Sequence, residues 1–449
     1  METKKKGFPV AFWVCSCSEI FERLAYYLGR SLILIFVTAS VATGGLGLSD
    51  TVAANMQSNL TAFSYLLPLF GAVIVDKYIG ARYTTPVGMF IAAAGYFTGG
   101  IAKSATGVYV MIFLVSLGLA LFKNGAIIGR VITDKSQMDP AFSMRYTLVN
   151  VGAFIGTFLV GILYKDVFAK DGVLGFAPCF KMAALMMVLG GLWYIFVCWR
   201  FLGDLGKLPF KKTLTEEEKA AEAKKKEEAG TKQPLTTIEK KRIGAIFVAS
   251  LFSIIFWIFW YLGYMPVYFY WAENMDWVVA GYQVPSTWFD AANSLFCVIL
   301  GPVTAALWKK LAARPQGDMS LFRKTGLGIA IIGVGYLFYA AIDIMRGGEK
   351  ASVLWLVVFA FLLTMGEMFF SPLGHSFISK YSPSRYLAVM MSVWGFATFI
   401  AAKSYGPVYG LLFGGKIEFK VACIGVAVVS FAAALIMIAL DKKLSALVD

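Results

Sequence analysis

Twelve long apolar stretches, separated by short polar breaks, limit what this chain can fold into. About 20 apolar residues are enough for a helix to cross the hydrocarbon core of a bilayer, which is roughly 30 Å thick. Only 15% of the residues are charged and 59% are apolar, whereas a soluble domain carries about 25% charged residues. The sequence therefore predicts an all-α membrane protein with twelve transmembrane helices. We place them at Phe12–Ala39, Thr51–Val75, Thr84–Ala102, Val108–Thr133, Phe142–Tyr164, Phe176–Phe201, Ile243–Trp271, Thr287–Leu311, Gly326–Ile344, Ser352–Ile378, Ala388–Leu412 and Val421–Leu440.

The net charge of +14 is distributed unevenly along the chain. Basic residues collect in alternate loops, and we assign Arg130, Lys135 and Arg145 to one of these, whereas the loops at Val41–Asp50 and Glu273–Val284 contain no Lys or Arg. Cytoplasmic loops of membrane proteins carry such an excess of basic residues. The pattern predicts a multi-pass protein of the plasma (inner) membrane, embedded in the lipid bilayer with both termini in the cytoplasm. Nucleic-acid binding is not expected, because the sequence offers no soluble domain to carry it.

The composition changes abruptly between Gly203 and Arg242, where Lys, Glu and Ala predominate. Six apolar stretches precede this segment and six follow it. We therefore divide the chain into an N-terminal six-helix bundle at 1–202, a charged and partly helical cytoplasmic linker at 203–242, and a C-terminal six-helix bundle at 243–449. Two bundles that rock around a site near the bilayer midplane are typical of secondary transporters.

Ionisable residues interrupt the apolar stretches at a few positions. The charged ones are Glu19, Glu22, Arg23 and Arg30 in the first helix, Lys123 in the fourth and Glu367 in the tenth. The first helix also has two tyrosines among its charged residues, Tyr26 and Tyr27. Charged groups are costly inside a bilayer, so they usually face a protein interior or a wet cavity and mark a path for ions or substrates. The three cations and three carboxylates among them suggest mutual pairing, because an unpaired buried charge is strongly destabilising.

Two interpretations of these charges are open: static ion pairs that hold helices together, or a polar cavity whose cations bind a carboxylate and whose acids carry a proton. We favour the cavity, since small-residue contacts join membrane helices more cheaply. An enzyme is not expected, because the chain has one His and lacks metal-ligand spacing. Neither a metal nor a cofactor is therefore expected. A channel is disfavoured because no ring of like charges or carbonyl filter is apparent.

Other charged residues lie elsewhere in the apolar stretches. Asp290 and Asp343 lie closer to predicted helix ends and are expected to face water. Lys403 lies within the eleventh helix, and we expect its ammonium group to extend along the helix toward the membrane surface.

Four motifs stand out when the chain is considered as a whole. They are Glu19-Ile-Phe-Glu22-Arg23-Leu-Ala-Tyr26-Tyr27 in the first helix, Gly71 with Asp76-Lys77-Tyr78-Ile79-Gly80-Ala81-Arg82 in the second loop, Gly366-Glu367-Met-Phe-Phe-Ser371-Pro372 in the tenth helix, and Met390-Met391-Ser392-Val393-Trp394 in the eleventh. The loop resembles the signature of the major facilitator superfamily. The combination resembles the proton-dependent oligopeptide transporters within that superfamily.

The resemblance implies the major facilitator fold and proton-coupled import of di- and tripeptides by alternating access. Protons and short peptides are the implied partners, and we expect the protein to function as a monomer. The implied peptide-binding residues are Arg23, Tyr26, Tyr27, Arg30, Tyr65, Lys123, Asn150, Asn293, Glu367, Ser371 and Trp394. The implied proton-coupling residues are Glu19, Glu22, Arg23, Lys123 and Glu367, with the last two as a pair between the bundles. The implied cytoplasmic gate loop contains Gly71, Asp76, Lys77, Gly80 and Arg82.

The chain departs from the family pattern at positions that bear on the solute. Asn124 stands where the family usually has Pro, and Tyr261-Leu262 stands where it commonly has an acid followed by Gln. In the family, that acid faces the arginine matching Arg30 and helps to close the outer gate. Closure of the outer gate here therefore uses either a weaker hydrogen bond that Tyr261 donates or accepts, or another partner such as Asp290. We therefore keep a second prediction: a proton-coupled transporter of the same fold for an amino acid, a modified peptide or an organic anion.

Overall fold

The computed structural model describes residues 7–132, 137–209, 212–213, 219–220, 223, 235–315, 319–370, 373–383 and 386–448. Within these residues, twelve helices are 17 or more residues long, and seven segments are long and apolar enough to cross a membrane. The all-α prediction is confirmed. Most of the predicted linker helix lies outside the described residues.

Helices α1 to α7 come from the first half of the chain. They are α1 Val10–Thr38, α2 Asp50–Lys77, α3 Ala81–Ile101, α4 Ala105–Leu121, α5 Asn124–Val131, α6 Met138–Ile162 and α7 Phe176–Arg200. A 3-10 turn at Val41–Thr43 and a π-helical turn at Leu163–Val167 lie between them.

Helices α8 to α16 and four two-residue strands come from the second half. They are α8 Thr237–Leu262, α9 Met265–Tyr268, α10 Tyr270–Asn274, β1 Met275–Asp276, β2 Val278–Val279, β3 Tyr282–Gln283, α11 Trp288–Ala312, α12 Leu321–Met345, β4 Ala351–Ser352, α13 Leu354–Phe370, α14 Leu373–Tyr381, α15 Leu387–Phe413 and α16 Phe419–Val448. Strands β1 and β4 pair in parallel, and β2 and β3 form a hairpin. Ala280 and Gly281 join the hairpin with φ angles of 51° and 80°, which a tight two-residue turn requires.

The chain forms two compact units. The first unit contains Met1–Ser49 and Leu66–Leu214, and the second contains Asp50–Tyr65 and Thr215–Asp449. Along the chain, the first unit ends at Leu214 and the second resumes at Thr215, which lies within the predicted linker. The predicted domain boundaries stay a prediction. The early part of α2 is grouped with the second unit, which the sequence did not indicate.

Small residues and hydroxyl groups explain why the early part of α2 packs against α15. The Ser58 hydroxyl donates to the carbonyl oxygen of Ala402 at 2.6 Å. A Cβ atom added at Gly406 would lie 2.9 Å from the carbonyl oxygen of Ala54, and one at Gly410 would meet Thr51. Close backbone approach of this kind is what small residues permit at helix interfaces.

Glycine also sets the packing of the first unit. There, α3 packs against α4 and α7, and α1 packs against α6 and α7. Gly88 of α3 faces Gly118 of α4, and a Cβ atom added to either residue would lie 2.4 Å from the carbonyl oxygen of the other. The two helices therefore touch through their backbones at this point.

Aromatic stacking is prominent in the second unit, where α12 packs against α13 and α16, and α8 packs against α15. The rings of Tyr339 and Phe359 stack at 3.5 Å with an interplanar angle of 9°. Tyr270 and Phe419 stack at 3.8 Å with an angle of 6°. Aromatic pairs of this kind add about 0.5–1.5 kcal/mol beyond the area that they bury.

Three helices that we predicted as continuous are interrupted. The predicted Val108–Thr133 is divided into α4 and α5, because the backbone N–H of Lys123 donates to the hydroxyl of Thr85 at 3.3 Å instead of continuing the helix. The predicted Ile243–Trp271 ends early at Leu262, where Pro266 lacks the N–H that would bond the carbonyl of that residue. The predicted Ser352–Ile378 is divided into α13 and α14, and residues 371–372 between them lie outside the described part.

We predict that Gly118→Ala lowers the apparent melting temperature of the purified protein. The added methyl group must separate α3 and α4, and such overpacking typically costs about 1–3 kcal/mol. The matched control is Gly425→Ala in α16, where a Cβ atom would meet nothing within 4 Å. That variant should melt at the wild-type temperature or slightly above it, and an equal loss in both variants would contradict the prediction.

Candidate functional site

The ionic face of α1 is largely buried in the first unit. Glu19, Glu22, Tyr26 and Arg30 are 0–5% exposed, whereas the Arg23 side chain is 31% exposed. Such burial of charged side chains requires partners close by.

Glu22 and Arg23 form an ion pair with a distance of 2.7 Å between Oε2 and Nε. Among the described residues, neither oxygen of Glu22 has a partner in hydrogen-bond geometry. The Arg23 guanidinium also lies over the ring of Tyr26, 5.5 Å from its centroid, and Tyr26 meets Tyr27 edge to face at 5.3 Å. The pair is therefore held by charge and by the aromatic surface beside it.

Glu19 is paired with a residue that the sequence assigned to a loop. Its Oε1 accepts from Nε of Arg145 at 2.7 Å and from the side-chain amide of Asn124 at 3.2 Å. The same amide donates to the carbonyl oxygen of Cys15 at 2.9 Å. Three helices, α1, α5 and α6, therefore converge on one carboxylate. The only sequence signal for Arg145 was its place next to Tyr146.

Lys123 lies at the break between α4 and α5, and its ammonium group donates to the carbonyl oxygen of Pro68 at 2.8 Å. The sequence predicted mutual pairing among the three cations and three carboxylates. That prediction is wrong in part, because the resolved partner of Glu19 is Arg145, which was not among them, and Lys123 donates to a carbonyl oxygen. Asn150 is half-buried, and its amide donates within its own helix to the carbonyl of Tyr146 at 3.0 Å.

The loop between α2 and α3 is anchored to the end of α7. The Arg82 guanidinium donates to the carbonyl oxygens of Cys198 and Gly203, and its backbone N–H donates to Gly206 at 3.1 Å. The bond to Cys198 satisfies one of the carbonyl groups that the last turn of a helix leaves without a partner. A Cβ atom at Gly80 would lie 2.1 Å from the carbonyl oxygen of Gly206.

The other residues of the predicted gate loop differ in their surroundings. Gly71 lies against α4, where a Cβ atom would be 1.9 Å from the carbonyl oxygen of Ala120. Asp76 is half-buried and Lys77 is exposed.

In the second unit, Glu367 is buried among neutral donors. The Asn293 amide donates to Oε2 of Glu367 at 3.2 Å and to the hydroxyl of Thr364 at 2.8 Å. The Cys297 thiol lies 3.7 Å from the same carboxylate oxygen. Two of the predicted peptide-binding residues, Asn293 and Glu367, are thus in contact, and Cys297 and Thr364 are neighbours that sequence reasoning missed.

Trp394 is buried near the end of α13. Its indole ring stacks on Phe370 at 5.7 Å, and a Cβ atom at Gly374 would lie 2.1 Å from the ring. Ser371, which we predicted to bind the solute, lies outside the described residues.

Tyr261 has partners within the second unit, and how the outer gate closes stays a prediction. Its hydroxyl donates to the hydroxyl of Tyr65 at 3.2 Å, and its ring stacks on Tyr405 at 5.0 Å. The Tyr405 hydroxyl in turn donates to the side-chain oxygen of Gln57 at 3.2 Å. A chain of neutral groups therefore joins the early part of α2 to α8 and α15 within the second unit.

The two aspartates that we expected to face water are buried or nearly so. Asp290 is 6% exposed and accepts a hydrogen bond from the Tyr268 hydroxyl. Asp343 accepts from Nε of Arg346 at 2.8 Å and from the Tyr270 hydroxyl. That expectation was wrong, because nearby tyrosines and an arginine supply the donors that water would otherwise provide.

Lys403 has a defined partner on α2. Its ammonium group donates to the side-chain oxygen of Asn59. The ammonium therefore bonds a neighbouring helix of the second unit.

The chain is similar to known transporters in sequence and in structure. The sequence model of the POT family matches residues 203–412. The peptide transporter YePEPT of Yersinia enterocolitica subsp. palearctica is 24% identical over 92% of this chain and 88% of its own. The di-/tripeptide transporter of Lactococcus lactis subsp. cremoris is 24% identical over 86% of each chain. A crystal structure of a peptide transporter POT in complex with sulfate has a TM-score of 0.87 at 22% identity, covering 100% of this chain and 97% of that one.

The predicted resemblance to the POT family is confirmed. The structural likeness confirms the predicted fold, and the described residues form twelve long helices. The relatives named above are membrane transporters, and the helices of this chain are suited to spanning a membrane.

We predict that Asn293→Leu destabilises the protein by about 1–3 kcal/mol, because it leaves the buried carboxylate of Glu367 without an amide donor. The comparison variant is Thr364→Val, which removes the neutral partner of the same amide and should cost about 1 kcal/mol. Both are measured as apparent melting temperatures in one detergent. A larger loss for Thr364→Val would contradict the assignment of Asn293 as the donor on which Glu367 depends.

Proposed function

We propose that this chain is a proton-coupled symporter that imports di- and tripeptides by alternating access. The observation that carries the proposal is the ion pair of the buried Glu22 with Arg23 in a largely apolar helix that also contains Glu19 and Arg30. Charged groups in such a position usually serve the path of an ion or a substrate. The similarity to YePEPT and to the di-/tripeptide transporter of Lactococcus lactis supports peptides as the solute.

A peptide offers two charged ends, and the chain has candidate groups for both. Arg23, Arg30 and Lys123 are the candidates for the carboxylate, because guanidinium and ammonium groups bind carboxylates through charge-assisted hydrogen bonds. The candidates for the amino terminus are Asn150, Asn293, Glu367 and Ser371. The candidates for the walls of the site are Tyr26, Tyr27, Tyr65 and Trp394.

Proton coupling follows from the change that protonation makes to an ion pair. While Glu22 is ionised it holds the Arg23 guanidinium, and a neutral Glu22 loses most of that attraction. Arg23 then becomes available to the carboxylate of the solute. In this scheme the proton and the peptide enter together, since the proton releases the cation that the peptide needs. Lys123 and Glu367 are proposed to take part in the same coupling, and Gly71, Asp76, Lys77, Gly80 and Arg82 to act in the cytoplasmic gate.

A second solute class is favoured by the neutral groups around Tyr261. The hydrogen bond between Tyr261 and Tyr65 uses two phenols at a place where the sequence pattern of the family led us to look for an acid. The same fold could thus carry an amino acid, a modified peptide or an organic anion with protons. We further propose that the protein functions as a monomer in the plasma (inner) membrane with both termini in the cytoplasm.

Uptake into proteoliposomes with an imposed pH gradient separates these solutes. An equimolar mixture of amino acids, dipeptides, tripeptides and organic anions is offered, and the accumulated compounds are identified by mass spectrometry. Accumulation of dipeptides and tripeptides that stops when a protonophore is added supports the proposal. Accumulation of another class alone favours the second candidate, and no gradient-driven accumulation at all contradicts both.

We predict that Glu22→Gln abolishes proton-driven accumulation of the accepted solute while counterflow exchange continues. An amide cannot release a proton, yet exchange does not require that step. The matched control is Glu239→Gln, since Glu239 caps the start of α8 and is not assigned to the site, so this substitution should leave both activities unchanged. Equal loss of accumulation and counterflow in Glu22→Gln would contradict the proton role of this residue.

We also predict that Lys123→Ala and Glu367→Ala each reduce dipeptide uptake at least tenfold, a change that corresponds to about 1.4 kcal/mol. Each removes a charge that we assign to one end of the peptide. Uptake is measured over a range of dipeptide concentrations. Wild-type uptake in both variants would remove these residues from the site.

A further inference from the structure

Lys403 of α15 is a charged residue that the proposed mechanism does not use. Its ammonium group donates to the side-chain oxygen of Asn59 on α2. An ammonium group has three hydrogens to donate, whereas an amide oxygen carries no charge. Among the residues that the structure describes, no carboxylate lies within ion-pair distance of Lys403. Within that part of the chain, the positive charge is therefore bonded but not neutralised.

The depth of this pair follows from the way in which α2 and α15 pack. A Cβ atom at Gly410 would contact Thr51 at the start of α2. Further along, the Ser58 hydroxyl donates to the carbonyl oxygen of Lys403 at 3.1 Å, so the two helices run antiparallel. At 1.5 Å per residue, Asn59 lies about 14 Å from the start of α2 and Lys403 about 15 Å from the end of α15. Half of the hydrocarbon core is about 15 Å thick, so the ammonium group lies near the bilayer midplane.

A lysine near the midplane requires a wet or ionic environment, because a charged side chain at the centre of a bilayer is destabilising. Lysines that meet lipid commonly extend along the helix until the ammonium group reaches the membrane surface. The bond to Asn59 instead holds this group at depth, and the Lys403 side chain is exposed. Secondary transporters bind their solutes near the midplane. An exposed cation at this depth is suited to bind the anionic group of a solute.

We propose that Lys403 is a further solute-binding residue, which contacts a carboxylate or a comparable anionic group and selects for solutes that carry one. This inference rests on the proposed function, because it requires that the chain bind such a solute. The cations assigned above to the carboxylate, Arg23, Arg30 and Lys123, belong to the first unit, so Lys403 gives the second unit a cation for the same group. Asn59 is a positioning residue, since it holds the ammonium group and leaves its charge in place.

The first test compares solutes that differ only in the anionic group. Uptake of radiolabelled L-alanyl-L-alanine into proteoliposomes is inhibited with unlabelled L-alanyl-L-alanine or with L-alanyl-L-alaninamide, and the half-inhibitory concentrations give the preference for the acid. Lys403→Gln should reduce this preference about tenfold or more, because the acid loses a charge-assisted contact that the amide never makes. Lys403→Arg keeps the charge and should retain most of the preference. Equal loss of affinity for acid and amide in Lys403→Gln would overturn the proposal.

A second variant changes the charge balance while the lysine stays in place. Asn59→Asp puts a carboxylate beside the ammonium group, so the preference for the acid should fall as it does in Lys403→Gln. The control is Lys416→Gln, which removes an exposed lysine from the loop after α15 and should leave the preference unchanged. A wild-type preference in Asn59→Asp, or the same loss in Lys416→Gln, would contradict the assignment of Lys403.

A third measurement reports the surroundings of position 403 without transport. Lys403→Cys is reconstituted in lipid nanodiscs and treated with a negatively charged methanethiosulfonate reagent, which reacts with thiols in water and does not enter lipid. The thiol at position 403 should be labelled, whereas that of Leu435→Cys, at an exposed apolar position of α16, should not. Wild-type protein gives the background, since its six cysteines are buried or partly buried.

These results separate the role of Lys403 from the proposed function. Wild-type protein that takes up no solute with an anionic group would contradict both the proposed function and the solute-binding role of Lys403. Absence of labelling in Lys403→Cys would show a side chain that faces lipid and would overturn the role of Lys403 alone. If another acid replaces peptides as the solute, that acid and its amide are compared in place of the two dipeptides.

Discussion

The first unit depends on an ion pair between Glu19 and Arg145, which joins α1 to α6 among apolar helices. A buried carboxylate without a partner would be strongly destabilising, and Oε1 of Glu19 receives hydrogen bonds from Arg145 and Asn124. The other cations nearby have other partners, since Arg23 pairs with Glu22 and Lys123 donates to the carbonyl of Pro68.

In the second unit, the buried carboxylate has neutral hydrogen-bond donors as its described partners. Glu367 is also buried, although its 8% exposure exceeds the 0–1% of Glu19 and Glu22. Its described partners in the second unit are the amide of Asn293 and the thiol of Cys297, and neither group carries a charge. The two units therefore present carboxylates of different character, one set balanced by guanidinium groups and the other by groups without charge.

The architecture could be predicted from the sequence, because the apolar stretches are long and the polar breaks between them are abrupt. The helix breaks could not, since the one at Lys123 depends on a hydrogen bond to Thr85 from a distant part of the chain. Arg145 was counted with a basic loop although the predicted helix Phe142–Tyr164 already contains it, and α6 begins still earlier, at Met138, so the arginine lies two turns from its start. Hydropathy marks where a helix is apolar and not where it begins, so a cation near the start of a helix is easily counted with the preceding loop. Asn293 and Glu367 were named as peptide-binding residues only because of the family resemblance, their contact was not predicted, and their neighbour Cys297 looked like an ordinary buried thiol.

The contact between Gly374 and Trp394 has a consequence for how these two positions can change over time. The indole ring fills the volume that any side chain at position 374 would require. A larger residue in place of Gly374 is therefore tolerated only after Trp394 has been replaced by a smaller residue. A smaller residue at position 394 in turn leaves a cavity that a larger residue at position 374 could fill. In a collection of related sequences, the sizes of the two residues should be inversely related.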